Sequence, residues 1–254
     1  SFVEVIKTPK NSGFQGAVNF GLTQINSELV LIMNNDIYPQ ADGFQRLARH
    51  FQNSGNDLFA VTGKFYDWNN KFIYGNRGGK FEKGHIWLYE KMPDDISTQT
   101  FFACGGCALW NRAKLVRLGG FDLLYYPLYY EEIDISYRAL KRGWRIIYEP
   151  NAVFYHRIQS TITTQHKLNK IRVISASHNY LFTWRNITDS DLFFKHIIWC
   201  PLLLIRDLFR FKFRFWFAFF RALKKLKIVI QKRNNEKSEI KISDKEIFRK
   251  IVGL

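Results

Sequence analysis

Leu29–Met33 reads LVLIM, five apolar residues without a polar break, and the run stops at Asn34-Asn35-Asp36. A short run with no alternation fits a strand covered on both faces, as in a parallel sheet with helices on each side. The flanking sequence has matching periods. Gln15–Asn26 reads as a helix with Ala17, Phe20, Gly21 and Ile25 available to its inner side. Asp42 can cap a second helix in which Phe44, Leu47, Ala48 and Phe51 keep the 3.6-residue period, and Asn53-Ser54-Gly55 ends it. Leu58–Thr62 is the next strand, and Phe2–Ile6 is strand-like ahead of the turn-rich Thr8–Gly13. This alternation specifies an α/β sheet with right-handed crossovers. Ligands gather beyond the carboxyl ends of strands in such sheets, which makes Asn34, Asn35 and Asp36 candidates. A carboxylate there suits Mg2+ or Mn2+. The same residues also serve a plain strand-ending Asx turn.

A second constellation lies in Gly119–His156. Glu131, Glu132 and Asp134 open a segment whose Ile133, Tyr137, Leu140 and Trp144 recur at helical spacing. Arg138, Lys141 and Arg142 crowd its last turn, and Gly143 stands where a left-handed cap belongs. The helix dipole favours acids at the start and bases at the end, so the charges alone are compatible with simple helix decoration. Arg145–Glu149 then reads as a strand, Pro150-Asn151 as a break, and a further strand ends at His156. An acid cluster and a histidine at neighbouring element ends have the residue types of a general base and a metal ligand.

Between these parts, residues 63–100 look irregular and carry Gly75, Gly78, Gly79 and Gly84 without a following GK[ST], so they read as a mobile hairpin or substrate loop and not a P-loop. Phe101–Trp110 is a buried strand region kinked at Gly105-Gly106, followed by a short helix at Arg112–Leu118. Cys104 and Cys107 form a CxxC with no second pair to complete a zinc site. Three cysteines in all argue against a disulfide framework and fit a reducing compartment.

The net charge of +16 is concentrated late: residues 192–254 hold 16 Lys/Arg against 5 Asp/Glu, and residues 1–191 hold 22 against 17. A helix is expected over about Lys167–Trp184 after the polar run Ser160–Thr164. Leu192–Ile205 is apolar but broken by Lys195, His196 and Pro201. In the stretch that follows, Phe209, Phe213, Trp216 and Phe220 can share a helix face, although Phe209–Phe217 also alternates like a strand. There is no uninterrupted apolar run of about 20 residues. Aromatics beside Lys and Arg suit a helix in the membrane interface, so an anionic membrane surface is the expected partner of 192–233. An ordinary helix packed on the main domain is the plain alternative. No nucleic-acid module is present, and nucleic acid is not an expected partner. Asn234–Ser243 reads as a polar linker and Asp244–Val252 as a final short helix.

Five segments in order resemble the family-2 inverting glycosyltransferases of the GT-A fold, particularly their bacterial rhamnosyltransferase-like branch. They are NSGFQGAVNFG (Asn11–Gly21), LVLIMNND (Leu29–Asp36), FFACGGCALWNR (Phe101–Arg112), GGFD followed by YYEEIDISYRALKRGW, and EPNAVFYH. The resemblance covers about residues 3–165 and implies a Rossmann-like, mostly parallel sheet with flanking helices over 1–165. A helical, basic and aromatic membrane-interface extension over 166–233 follows, then a linker and short helix over 234–254. It implies that Asp36 holds a divalent metal on the donor's diphosphate, with Asn34 at the first position of a DxD-type pattern and His156 completing the shell. It implies Glu132 as catalytic base, with Glu131 as rival and Asp134 orienting helix or acceptor. Gly105 and Gly106 would let backbone approach the sugar. The implied activity is sugar transfer from a nucleotide-sugar donor such as dTDP-rhamnose to a lipid-linked or surface saccharide, at the cytoplasmic face of the membrane. The family pattern also implies a βαβ unit of roughly 45 residues ahead of this stretch. An inactive, truncated protein that binds membrane or a partner through its tail is therefore the alternative expectation.

Overall fold

The computed structural model describes residues 4–91, 95–157 and 168–252. Helix α1 (Gly13–Gln24) precedes β1 (Leu29–Met33), β2 (Ile37–Pro39), α2 (Gly43–Asn53) and β3 (Leu58–Tyr66). Then come β4 (Phe72–Tyr74), the hairpin β5 (Arg77–Glu82) and β6 (His85–Glu90), β7 (Thr98–Gln99) and β8 (Cys107–Asn111). Helices α3 (Arg112–Arg117) and α4 (Glu131–Lys141) lead to the long β9 (Arg145–His156). The remainder is helical: α5 (Leu168–Asn186), α6 (Ser190–Phe209), α7 (Arg214–Leu223), α8 (Leu226–Glu236) and α9 (Asp244–Val252).

The central strands lie in the order β1-β8-β3-β9-β2. β8 is antiparallel to both β1 and β3, and β3 is parallel to β9, so β1, β3 and β9 share one direction with β8 reversed among them. Among the described strands the sheet is thus mixed: β3 and β9 form its parallel pair, and β2, β4 and β7 add antiparallel pairs at its margins. Several local expectations change. β1 is an edge among the described strands and only Ile32 of it is buried, so its apolar run is half covered and not enclosed. Glu4–Ile6 forms no strand and Phe2 lies outside the described residues, as does the polar run Ser160–Thr164. Arg145–His156 is one strand, which absorbs Pro150-Asn151 at a register shift opposite Thr62–Lys64. Asp42 makes no cap bond, because its carboxylate accepts from Arg46 Nε at 2.8 Å.

One apolar cluster joins Phe59, Trp110, Phe121 and Tyr137 to Tyr180, Leu204 and Phe248, so it runs from the sheet into the C-terminal helices. A smaller one places Val61, Phe65 and Phe154 with Leu47 of α2. Helix α6 passes through Pro201 without ending. Burial of Cys200, Leu203 and Leu204 on its inner side outweighs the roughly 3 kcal/mol that an interior proline costs. Phe209 ends α6 and Phe213 precedes α7, so the four aromatics do not share one helix. Residues 234–243 are less linker than strap: α8 extends to Glu236, and Glu236 and Glu239 pair with Arg142 at 2.6 and 3.4 Å.

Beneath α4 lies a buried ionic network. Asp134, fully buried, accepts from Tyr125 Oη (2.9 Å), Asn186 Nδ2 (2.8 Å), Arg138 Nε (2.8 Å) and Arg185 Nη1 (3.2 Å). Removing one member of such a network leaves the others charged and unpaired. Asp134→Ala is expected to lower stability by about 3–5 kcal/mol, read as a fall in the urea midpoint. An unchanged midpoint would mean that the arginines find other partners.

Candidate functional site

The segment Phe101–Gly106 runs into β8 as a floor, fixed by backbone bonds to both halves of the domain. Ala103 N–H donates to Ser136 Oγ of α4 at 3.2 Å, Cys104 N–H to Thr62 Oγ1 of β3 at 3.3 Å, and Asn34 N–H to the Gly106 carbonyl at 2.7 Å. The two glycines divide the contacts. A Cβ on Gly106 would lie 3.1 Å from Ile37 and 3.4 Å from the Asn34 side-chain nitrogen, and one on Gly105 would lie 3.3 Å from Glu132 Cβ. The Asn34–Asp36 loop and the acidic start of α4, about a hundred residues apart in sequence, therefore meet across adjacent glycines.

On the first side, Asp36 Oδ1 stands 3.4 Å from His156 Nε2, because β2 pairs Ile37 with His156 at the end of β9. Asp36 Oδ1 is buried and has no hydrogen-bond partner. His156 Nδ1 lies 2.6 Å from the Tyr74 hydroxyl. Burial raises the Tyr74 phenol, so it stays protonated. With Nδ1–H donating to the Tyr74 oxygen, the Nε2 lone pair faces Asp36, the outer-shell arrangement of a metal-ligating histidine. Among the described residues no three acid, histidine or cysteine side chains cluster as a metal cage. One carboxylate and one imidazole nevertheless fit an ion that takes its other ligands from diphosphate and water. Asn34 is half-buried against Gly106 and turns the chain, its carbonyl accepting from Ile37 N–H at 3.3 Å, while Asn35 is exposed.

On the second side, Glu131 and Glu132 each keep a buried Oε2 with no partner. Burial first, and the Glu132 charge second, hold the Glu131 carboxyl well above the usual carboxylate range. Burial raises Glu132 too, while its own backbone N–H and the Arg77 guanidinium pull it back. Of the two, Glu132 is the one with a cation, Arg77, beside it. Asp134 does not join them: it faces inward to the network under α4, which makes it a positioning residue and removes it from the candidate bases.

The turn that delivers the glutamates is strained. Tyr129 and Tyr130 have φ of 66° and 80°, left-handed values that non-glycine residues avoid. Helix α5 holds the turn: His178 Nδ1 bonds the Tyr129 carbonyl at 3.0 Å, and Asn179 Nδ2 donates to the Tyr130 hydroxyl at 2.7 Å. Sequence reasoning missed these clamps, as it missed Gln15, Tyr74 and Arg77. Gln15 is buried and bonds Glu131 as well as the Tyr125 carbonyl. Arg77 sits over the Tyr74 and Phe102 rings at 4.6 and 5.5 Å, pairs with Glu90 at 2.9 Å, and leaves Nε buried without a partner. Tyr74 and Arg77 belong to the segment that looked irregular, which instead folds as a third strand on β3 and the β5–β6 hairpin. Its two-residue alternation is short and interrupted by glycine, so no period announced it. Cys104 and Cys107 are free, and burial raises both thiols, which fits packing and not redox chemistry.

Residues 1–119 match the family described as Glycosyl transferase family 2. Over 58 residues the chain is 40% identical to the N-acetylglucosaminyl-diphospho-decaprenol L-rhamnosyltransferase of Mycobacterium tuberculosis, covering 22% of this chain and 19% of that protein. Over 163 residues it is 24% identical to the pre-mycofactocin glycosyltransferase of the same organism, covering 61% of this chain and 32% of that one. The chain therefore spans only about a fifth to a third of the curated relatives it matches. The structure of GalNAc-T7 with UDP, GalNAc and Mn2+ superposes with a TM-score of 0.55 at 11% identity, covering 73% of this chain and 37% of that chain, a likeness of fold.

Proposed function

We propose, from the match of residues 1–119 to glycosyltransferase family 2, that the chain belongs to that family and moves a sugar, with inversion, from a nucleoside diphosphate to an acceptor hydroxyl. The observation that carries the reading is that two unlike elements approach adjacent glycines: the loop of Asn34 and Ile37, whose Asp36 lies 3.4 Å from His156, at Gly106, and Glu132 at the start of α4 at Gly105. Each side holds a buried oxygen without a partner. Such atoms are costly unless a ligand satisfies them.

Inversion needs a base within hydrogen-bond reach of the acceptor hydroxyl and relief of charge on the leaving diphosphate. Glu132 takes the proton at its free Oε2. Glu131, its carboxyl raised by burial and then by the Glu132 charge, lies beside it in the chain. The glycine floor lets the sugar approach backbone. Asp36 and His156 would hold Mg2+ or Mn2+, with Asn34 shaping the loop, and that ion would neutralise the departing diphosphate. The name of the rhamnosyltransferase relative supports an L-rhamnosyl donor and an acceptor carried on a lipid diphosphate; dTDP-rhamnose as donor and the cytoplasmic face of the membrane as the place complete the proposal.

Calorimetric titration with UDP and dTDP, with and without Mn2+, tests the donor side. Binding of dTDP that appears only with Mn2+ is expected. Product analysis with and without a lipid-linked acceptor then separates transfer from hydrolysis. No binding of either nucleotide in either condition would sink the proposal.

A further inference from the structure

The outer side of α6 has no covering in the fold. Its inner residues Cys200, Leu203 and Leu204 are buried, and His196 is locked by bonds to the Gly84 carbonyl (2.6 Å) and from Trp184 Nε1 (2.8 Å). The helix therefore cannot roll to hide its other side. That side carries Phe194, Ile197, Leu202, Ile205 and Phe209 at a 3.6-residue period, with 62% of Phe194, 55% of Ile197 and 79% of Phe209 exposed. Phe217 and Phe220 continue the exposed apolar surface on α7. A helix apolar on nearly all sides is expected to be covered on nearly all sides.

The charges indicate by what. Residues 190–227 hold nine Lys/Arg and two acids. Asp191 is paired with Lys245 at 3.0 Å, and Asp207 is buried beside Arg206 at 3.0 Å. Arg210, Lys212, Arg214, Arg221 and Lys224 are exposed at the end of α6 and along α7. We propose that the outer face of α6, continued by α7, docks onto an anionic lipid bilayer with α6 lying in the plane of the interface. The apolar face enters the acyl boundary, and the long basic side chains reach back to lipid phosphates. No described helix is long and apolar enough to cross a membrane, and Lys195, Arg206 and Asp207 interrupt α6 itself. A nucleic acid would meet the cations but leave Ile197, Leu202 and Ile205 in water. A second copy in twofold contact would set like charges against each other. The docking adds to the glycosyltransferase reading and rests on it only for the nature of the acceptor.

The full chain should co-sediment with vesicles of phosphatidylcholine mixed with phosphatidylglycerol far better than with phosphatidylcholine alone, and less well as salt rises. Arg210→Gln with Lys212→Gln should weaken that partition about 30-fold, at roughly 1 kcal/mol per basic side chain and 1.4 kcal/mol per decade. Leu202→Glu with Ile205→Glu should abolish it, while Mn2+-dependent dTDP binding stays unchanged. Absence of binding to both vesicle types, or equal binding to both, overturns the proposal. So does a salt-resistant dimer in sedimentation velocity that Leu202→Glu dissociates, because a second copy then covers the face. Nucleotide titration of the same preparation judges the catalytic reading separately.

Discussion

Glu132→Gln is expected to lower transfer by about a thousandfold, whereas Glu131→Gln costs only a few-fold, a contrast within the usual reach of one general base. The two carboxyls are adjacent and similarly buried, so the difference must come from their neighbours. Arg77 lies near Glu132 and favours its charged form, while Glu131 carries the stronger upward push. The Arg77 guanidinium beside Glu132 is therefore the reason Glu132 is proposed to accept the hydroxyl proton. The same geometry fixes the pH dependence. A base with a raised carboxyl gains activity as pH rises through that raised value, so the acidic limb lies above the ordinary carboxylate range. Arg77→Gln removes the cation that favours ionisation and should move the limb to higher pH. Stability has the opposite sense: a carboxyl raised in the folded state costs stability as pH rises from its unfolded value through its folded one. Glu132→Gln removes that cost and should melt at a higher temperature at neutral pH, which separates a lost base from a damaged fold. Full activity in Glu132→Gln, or a dead Glu131→Gln beside it, would reverse the assignment.

Asp36→Ala is expected to erase the Mn2+-dependent part of nucleotide binding and to cost about 100- to 1000-fold in transfer, the range lost with one group that stabilises developing charge. Asp36 Oδ1 has no hydrogen-bond partner, and without it His156 is left as a single ligand on that side. Tyr74→Phe is the graded companion. It keeps the ring on which Arg77 stacks and removes the oxygen that orients His156, for about 10- to 100-fold in metal affinity. Calorimetry at several Mn2+ concentrations reads both variants. Unchanged metal dependence in Asp36→Ala would place the ion elsewhere.

Much of this arrangement was legible in the sequence. LVLIM followed by a carboxylate marked β1 and its loop, and the acids, bases and Gly143 bounded α4, with Gly143 adopting a φ of 78° as its cap requires. Those signals are local: a period, a cap, a charge at a helix end. What stayed hidden is set by partners distant in the chain. Pro201 reads as a break, but its helix is held by the core on its inner side. Asp134 looks like its two glutamate neighbours, yet it faces inward, two residues of helix, about 200°, having turned it from Glu132 toward Arg185 and Asn186. Arg77 is one basic residue among many until the hairpin lays it over Tyr74.

The reversed strand β8 has a consequence for how the site comes and goes. Among the described strands, β1 reaches the rest of the sheet only through β8, with Leu29 opposite Asn111 and Met33 opposite Cys107. The glycine floor is the segment that leads into that same strand. If β8 loosens, the Asn34–Asp36 loop keeps only its β2 end on β9, and Glu132 loses the glycine floor beside it. In terms of local unfolding, an opening of β8 is expected to uncover the glycine floor and the β1 end of the loop in one event, read as shared amide-exchange protection of Asn34 and of residues 107–111.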